Sequence, residues 1–182
     1  MFMIHEAIIF AACAHEGQKR KGTNVPYIVH PFEVAQILTD AGGSESLVCA
    51  GLLHDTVEDT GVTLEEIQSK FGGEVAALVG LMTEEKSLSW EERKQQAIDA
   101  VDDAMSREAK MLVCADKLSN LRSIQRDMDA IGESVWSRFR RGKEKQKWYY
   151  GTMIERLSCL ETYPMYGELK KLFSQVFEGE RN

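Results

Sequence analysis

The sequence predicts an all-α protein of one domain, on three observations. Apolar residues recur at helical spacing nearly from end to end, and no segment alternates apolar and polar over the length of a strand. Only 3 prolines and 14 glycines leave little material for the tight turns of an all-β fold. A chain of 182 residues has room for one sizeable core. Its composition, 43% hydrophobic and 28% charged, excludes the disordered and fibrous classes.

The elements follow in order. Residues 2–16 place Ile4, Ile8, Ala11 and Ala12 on one helical stripe. A basic, glycine-containing loop runs from Gln18 to Val25. Pro31, directly after His30, suits the first turn of a helix that ends near Gly42-Gly43. A third helix covers 45–58. Thr63 with Glu66, and Ser89 with Glu92, are capping boxes that open two more. Gly72-Gly73 separates the first of these from the apolar run Val75 to Met82. A long helix covers 107–129, with Leu118, Leu121, Gln125 and Met128 in register, and 144–162 and 165–177 close the chain. With no internal repeat and no low-complexity linker, 1–182 reads as a single domain. Its motifs fall within 20–122, and helices within 131–177 are expected to pack on that core.

Several function classes drop out. No apolar run approaches the ~20 residues of a membrane span. His5 and Glu6 stand where a signal peptide would carry basic residues, so the opening stretch reads as part of the mature fold. Cys13, Cys49, Cys114 and Cys159 each lie alone among apolar neighbours. They read as reduced, buried core thiols of a cytoplasmic protein, which excludes zinc-finger and thioredoxin-like readings. The net charge of −7 repels nucleic acid, so any bound phosphate must meet a local basic patch.

Four residues stand where they are costly. His54-Asp55 follows the apolar run LVCAGLL, and Asp116 follows MLVCA. A carboxylate emerging from such a run must be paired, protonated or bound to a cation. His30 adds a second imidazole at a helix entrance. Any one of them alone would read as a helix cap, or as an ion pair of Asp116 with Lys117. Jointly, two nitrogens and two carboxylates suit one borderline divalent ion such as Mn²⁺, Fe²⁺ or Zn²⁺. The remaining histidines, His5 and His15, lie about 80° apart around one helix at ~100° per residue, so no second metal is expected.

His54, Asp55, Glu58 and Asp59 spell H-D-x-x-E-D. On a helix continuing through them, Glu58 lies one turn beyond His54 and Asp59 one turn beyond Asp55. Two carboxylates so placed suit proton transfer beside a metal. Acidic residues at a helix C-terminus also oppose the macrodipole, a placement that function would explain. Asn120, i+4 from Asp116, shares its face, where its amide suits a phosphate or a water at the metal. Arg20 and Lys21 sit in the loop before His30, where a bidentate Arg and a point-charge Lys suit a pyrophosphate. The run 138–147, RFRRGKEKQK, carries +5 and leaves −12 on the rest of the chain. A solvated face and a functional patch explain it equally well. Trp148-Tyr149-Tyr150 reads as core more than as a platform for a base.

The pattern resembles the HD-domain superfamily of metal-dependent phosphohydrolases. More closely, it resembles the alarmone-hydrolase domain of the RelA/SpoT homologue family. The matching stretches are RKGTNVPYIVHPFEVAQIL (20–38), AGLLHDTVEDT (50–60), FGGEVAALVGLMTEEK (71–86) and CADKLSNLR (114–122). The resemblance implies an all-helical HD bundle, one bound Mn²⁺, and removal of the 3′-pyrophosphate from the small-molecule nucleotide (p)ppGpp. It implies His30, His54, Asp55 and Asp116 as ligands, Glu58 and Asp59 as water-activating groups, and Arg20, Lys21 and Asn120 as phosphate contacts. Long family members continue into a synthetase domain, for which this chain lacks the length, so it looks like a stand-alone small hydrolase. Ser119 stands where many members have His, a change expected to leave ligation alone and to retune the substrate pocket. The same site would serve another phosphorylated nucleotide, such as NADPH through its 2′-phosphate. A non-catalytic alarmone sensor would be free to lose Glu58 and Asp59, which this chain keeps.

Overall fold

The structure, a computed structural model, describes residues 2–102 and 104–179; residues 1, 103 and 180–182 of the expected domain lie outside it. Among the described residues the architecture is helical, and the one β-type contact is an isolated bridge between Lys19 and Pro26. Helix α1 (Phe2–Ala14) turns Ala7 and Ala11 inward; Ala12, expected on that stripe, is exposed instead. The buried stripe runs on through His15.

Helices α2 (Val29–Asp40), α3 (Glu45–Leu53) and α8 (Arg107–Ile131) pack against one another, and the candidate site sits where they meet. Close approach of α2 and α3 depends on Gly51. A Cβ there would lie 2.8 Å from Leu38 Cδ1 and 3.4 Å from the Ala35 backbone. Helix α8 is long because its sequence from Ala109 to Ala115 is buried on every side, while Ser106 caps its start by accepting from Ala109 N–H.

The expected helix over 45–58 is broken. After α3 the chain turns at His54-Asp55 and resumes as the single turn α4 (Thr56–Asp59). The break is held locally: the His54 Nδ1 donates to the Gly51 carbonyl, and the Thr56 hydroxyl donates to Leu53 O. Side chains thus satisfy backbone acceptors that a continuous helix would pair with amides.

Both capping boxes form, at α5 (Leu64–Phe71) and α7 (Trp90–Ala100), with Gly72 separating α5 from α6 (Gly73–Met82). Its φ of 90° explains the glycine. The C-terminal region is more broken than its periodicity suggests. A 3₁₀ segment (Gly132–Arg138) precedes α9 (Gly142–Arg156), and a short 3₁₀ turn precedes α10 (Pro164–Phe173), which packs on α8.

Two of the four thiols depart from expectation: Cys49 and Cys114 are buried, but Cys13 and Cys159 are exposed. Each exposed one lies on the outer side of its segment, where apolar neighbours in sequence are not neighbours in space. Burial pushes the Cys49 thiol up to about 11 and the Cys114 thiol up to about 12. Titration of the native protein with a thiol reagent at pH 8 is expected to modify Cys13 and Cys159 rapidly and the other two only on unfolding. Four equally fast thiols would contradict this packing.

Candidate metal centre and phosphate site

Each group of the centre comes from a different helical device. His30 lies in the first turn of α2, His54 caps the end of α3, Asp55 opens α4, and Asp116 lies mid-way along α8. The two imidazoles face each other, with Nε2 atoms 3.2 Å apart. Asp116 Oδ1 lies 3.2 Å from His30 Nε2 and 3.8 Å from His54 Nε2. Asp55 Oδ2 lies 3.1 Å from His54 Nε2 and 3.5 Å from His30 Nε2. One donor atom from each of His30, His54 and Asp116 falls within 4.8 Å of the others. Asp55 flanks that trio, its Oδ2 also accepting the Tyr27 hydroxyl at 2.6 Å.

This donor set fits a divalent cation. The His54 Nδ1 sits 2.8 Å from a carbonyl, which can only accept, so Nδ1 carries a proton and Nε2 is the ring nitrogen that faces the cluster. Burial opposes charge on both imidazoles and keeps His30 below its ordinary pKa; for His54, the Asp55 and Asp116 carboxylates outweigh burial and raise it well above. Burial likewise works against the Asp55 and Asp116 charges. The His54 imidazole beside Asp55 and the Lys117 ammonium beside Asp116 nevertheless hold both carboxyls below the usual range. Two anionic oxygens and two ring nitrogens therefore converge on a point that favours positive charge.

Around this point the polar groups are interlocked. Lys117 donates to Asp116 Oδ2 at 2.7 Å, so the carboxylate faces the imidazoles with one oxygen and an ammonium with the other. Asn120 donates to Asp116 Oδ1 at 2.6 Å and accepts from Arg20 Nη2 at 2.7 Å. Arg20 lies over the Tyr27 ring, and Lys21 over Phe139. Arg20, Lys21, Tyr27, Asn120, Phe139 and Tyr150 line a cavity of about 270 Å³. Glu58 accepts the Glu84 N–H at 3.1 Å, and burial raises its carboxyl. Asp59 pairs with Lys86 at 3.1 Å and accepts the Tyr27 hydroxyl at 3.3 Å.

A family model described as the HD domain matches residues 7–144. The chain belongs to the HD-domain family. Among its relatives is guanosine-3′,5′-bis(diphosphate) 3′-pyrophosphohydrolase MESH1 of Mus musculus, 46% identical over 124 residues, 66% of this chain and 69% of that protein. The Homo sapiens protein of the same name is 45% identical over 66% of this chain and 69% of its own length. A metazoan ortholog of SpoT, described as hydrolysing ppGpp, superposes with a TM-score of 0.81 at 30% identity over 96% of each chain. A crystal structure from Listeria monocytogenes superposes with a TM-score of 0.76 at 44% identity, covering 82% of this chain and 99% of that one.

Within this HD domain, the contacts above join His30, His54, Asp55, Asp59, Asp116, Asn120 and Arg20; Lys21 shares the cavity lining with Arg20 and Asn120, and Glu58 lies on α4 beside Asp59 with its own contact to the Glu84 N–H. Others were missed. Tyr27 hydrogen-bonds Asp55 and Asp59 together, but it lies in a loop and leaves no periodicity to read. Glu84 fixes Glu58 through its backbone, while Arg93 and Lys94 hold its carboxylate at 3.0 and 2.6 Å. Ser119, expected to shape the substrate pocket, is 1% exposed, contacts His30 Nδ1, and is among the residues lining a second cavity of about 410 Å³ beside Arg20 and His30. The basic run 138–147 is mostly spent on surface ion pairs, as of Arg141 with Glu91 and Lys143 with Glu133. Two of its members line the first cavity: Phe139, and Arg138, which is paired with Asp127 at 2.6 Å. Of the trio expected in the core, Tyr149 and Tyr150 are buried, with Tyr150 also lining that cavity, but Trp148 is exposed.

Proposed function

We propose that this chain is a metal-dependent guanosine-3′,5′-bis(diphosphate) 3′-pyrophosphohydrolase, converting (p)ppGpp and water to the 3′-hydroxyl nucleotide and pyrophosphate. The observation that carries the reading is the convergence of the two imidazoles with Asp55 and Asp116, beside a cavity that presents Arg20, Lys21 and Asn120. The relatives that share most of this chain carry that activity in their names. His30, His54, Asp55 and Asp116 would hold the ion, for which Mn²⁺ is the proposed identity. Bound there, a divalent cation supplies a Lewis acid for a phosphoryl oxygen and makes water more acidic.

The chain's own residues do the rest. Arg20 and Lys21 neutralise the diphosphate, and Asn120 orients it while tying Arg20 to Asp116. Asp59 takes the proton of the attacking water. Glu58, its carboxyl raised by burial, returns a proton to the departing ribose 3′-oxygen. Tyr27 holds Asp59 in line with Asp55. The chain contains no described helix long and apolar enough to cross a membrane, and a cytoplasmic nucleotide substrate is proposed.

The deciding experiment is a phosphate and pyrophosphate release assay on ppGpp, pppGpp and NADPH, with and without Mn²⁺. Pyrophosphate released fastest from the guanosine substrates, and only with metal, is the expected result. Faster phosphate release from NADPH would replace this reading. Arg20→Ala is further expected to raise KM for ppGpp by roughly 10–100-fold, the scale of the ~1.5–3 kcal/mol of a hydrogen bond to a charged group. High salt should narrow the gap between variant and parent. Unchanged Michaelis constants would remove the loop from the site.

A further inference from the structure

We infer that Ser119 and Glu33 are positioning residues that set the tautomer of His30, and through it the affinity of the centre for a metal. The inference rests on the metal-binding reading of His30 but not on any substrate. Its basis is a hydrogen-bond chain with a direction. Helices α2 and α8 cross so that an i, i+3 pair on each meets its counterpart: His30 and Glu33 on one, Asp116 and Ser119 on the other. Ser119 Oγ lies 2.9 Å from His30 Nδ1 and 2.8 Å from Glu33 Oε2.

A hydroxyl has one proton to give. Glu33 is a carboxylate that can only accept. Burial opposes its charge, but the Ser119 hydroxyl and Arg126 outweigh burial and keep it ionised, with Arg122 adding to them. The Ser119 proton therefore goes to Glu33, and Ser119 accepts from His30 Nδ1–H. That leaves His30 Nε2 without a proton, its lone pair directed at His54 and Asp116. The opposite tautomer would place an N–H where a ligand lone pair is needed. The His54 ring has its Nδ1 proton held by the Gly51 carbonyl instead, so the two imidazoles are oriented by independent partners.

Two substitutions test this without touching a ligand. Ser119→Ala removes the acceptor and frees His30 to change tautomer. Glu33→Gln is nearly isosteric but reverses the chain. With its amide oxygen kept by Arg122 and Arg126, its NH₂ donates to Ser119, whose hydroxyl must then donate to His30 Nδ1. The readouts are the Mn²⁺ dissociation constant from calorimetric titration, and the ¹⁵N shifts of the His30 ring in metal-free protein. The expected result is Mn²⁺ binding weakened by ~10–100-fold in both variants, the range for partners of ligating histidines. The His30 proton should move from Nδ1 towards Nε2, with the circular-dichroism melt little changed in Glu33→Gln. Parental affinity together with a parental His30 signature in Glu33→Gln would overturn the inference, even if Ser119→Ala failed to fold. If the parent protein itself binds no Mn²⁺, the metal reading fails instead, and the ¹⁵N signature still decides whether Ser119 and Glu33 set the tautomer.

Discussion

Asp59→Asn and Glu58→Gln are each expected to lower turnover of ppGpp by ~10²–10⁴-fold while leaving Mn²⁺ affinity nearly unchanged, the scale of a lost general acid or base. Both variants keep the shape of the side chain, and both positions lie outside the His30–His54–Asp116 trio. Gln at 58 can still accept the Glu84 N–H, so α4 should stay in place. The two should differ in their pH profiles. Burial raises the Glu58 carboxyl, so its protonated, proton-donating form is lost as pH rises through that raised value. Parental turnover should therefore fall on the alkaline side, and Glu58→Gln should show a low rate without that fall. Steady-state rates across pH, alongside Mn²⁺ titrations, check this. Near-parental turnover in both variants would remove the acid–base roles, and weakened metal binding in both would show that they act through the metal.

Asp116→Asn is expected to abolish detectable Mn²⁺ binding and to destabilise the fold by about 3–5 kcal/mol. Asp116 is the hub of the site: it meets His30, Lys117 and Asn120 within 3.2 Å. Lys117 Nζ is held by that carboxylate and by the Tyr149 ring; burial opposes its charge, and Asp116 outweighs burial to raise its pKa. Removing the carboxylate leaves a largely buried ammonium, 13% exposed, without its counter-charge. For a chain of this size the loss corresponds to roughly 6–20 °C in Tm. Replacing both members, as Asp116→Asn with Lys117→Met, should recover most of the stability and none of the metal binding, since no ammonium is then left without its counter-charge. Thermal melts of the parent and the two variants, each with and without Mn²⁺, separate the effects. A single variant as stable as its parent would contradict the role of the carboxylate as the partner of Lys117.

The sequence alone determined the helical class, both capping boxes and the candidate residues. These are properties of local spacing: apolar residues at 3.6-residue periodicity, a side-chain oxygen three residues before a carboxylate, and charges emerging from apolar runs. His54, Asp55 and Asp116 stood out because burying them uncompensated would be costly, and the apolar runs that lead into them make that burial legible. Tertiary structure alone decided what was local only in space. The break at His54-Asp55 depends on Thr56 and His54 turning back onto the carbonyls of Leu53 and Gly51, which helical periodicity over 45–58 does not register. Exposure of Cys13 and Cys159 depends on which side of each segment meets the core. The hydroxyls of Tyr27 and Ser119 took their roles from groups 28 and 86 residues away, in Asp55 and Glu33. A hydroxyl costs little wherever it sits, so its residue carries no signal in sequence; only the folded chain, which brings the loop of Tyr27 to Asp55 and crosses α2 with α8 at Ser119, gives each its partner.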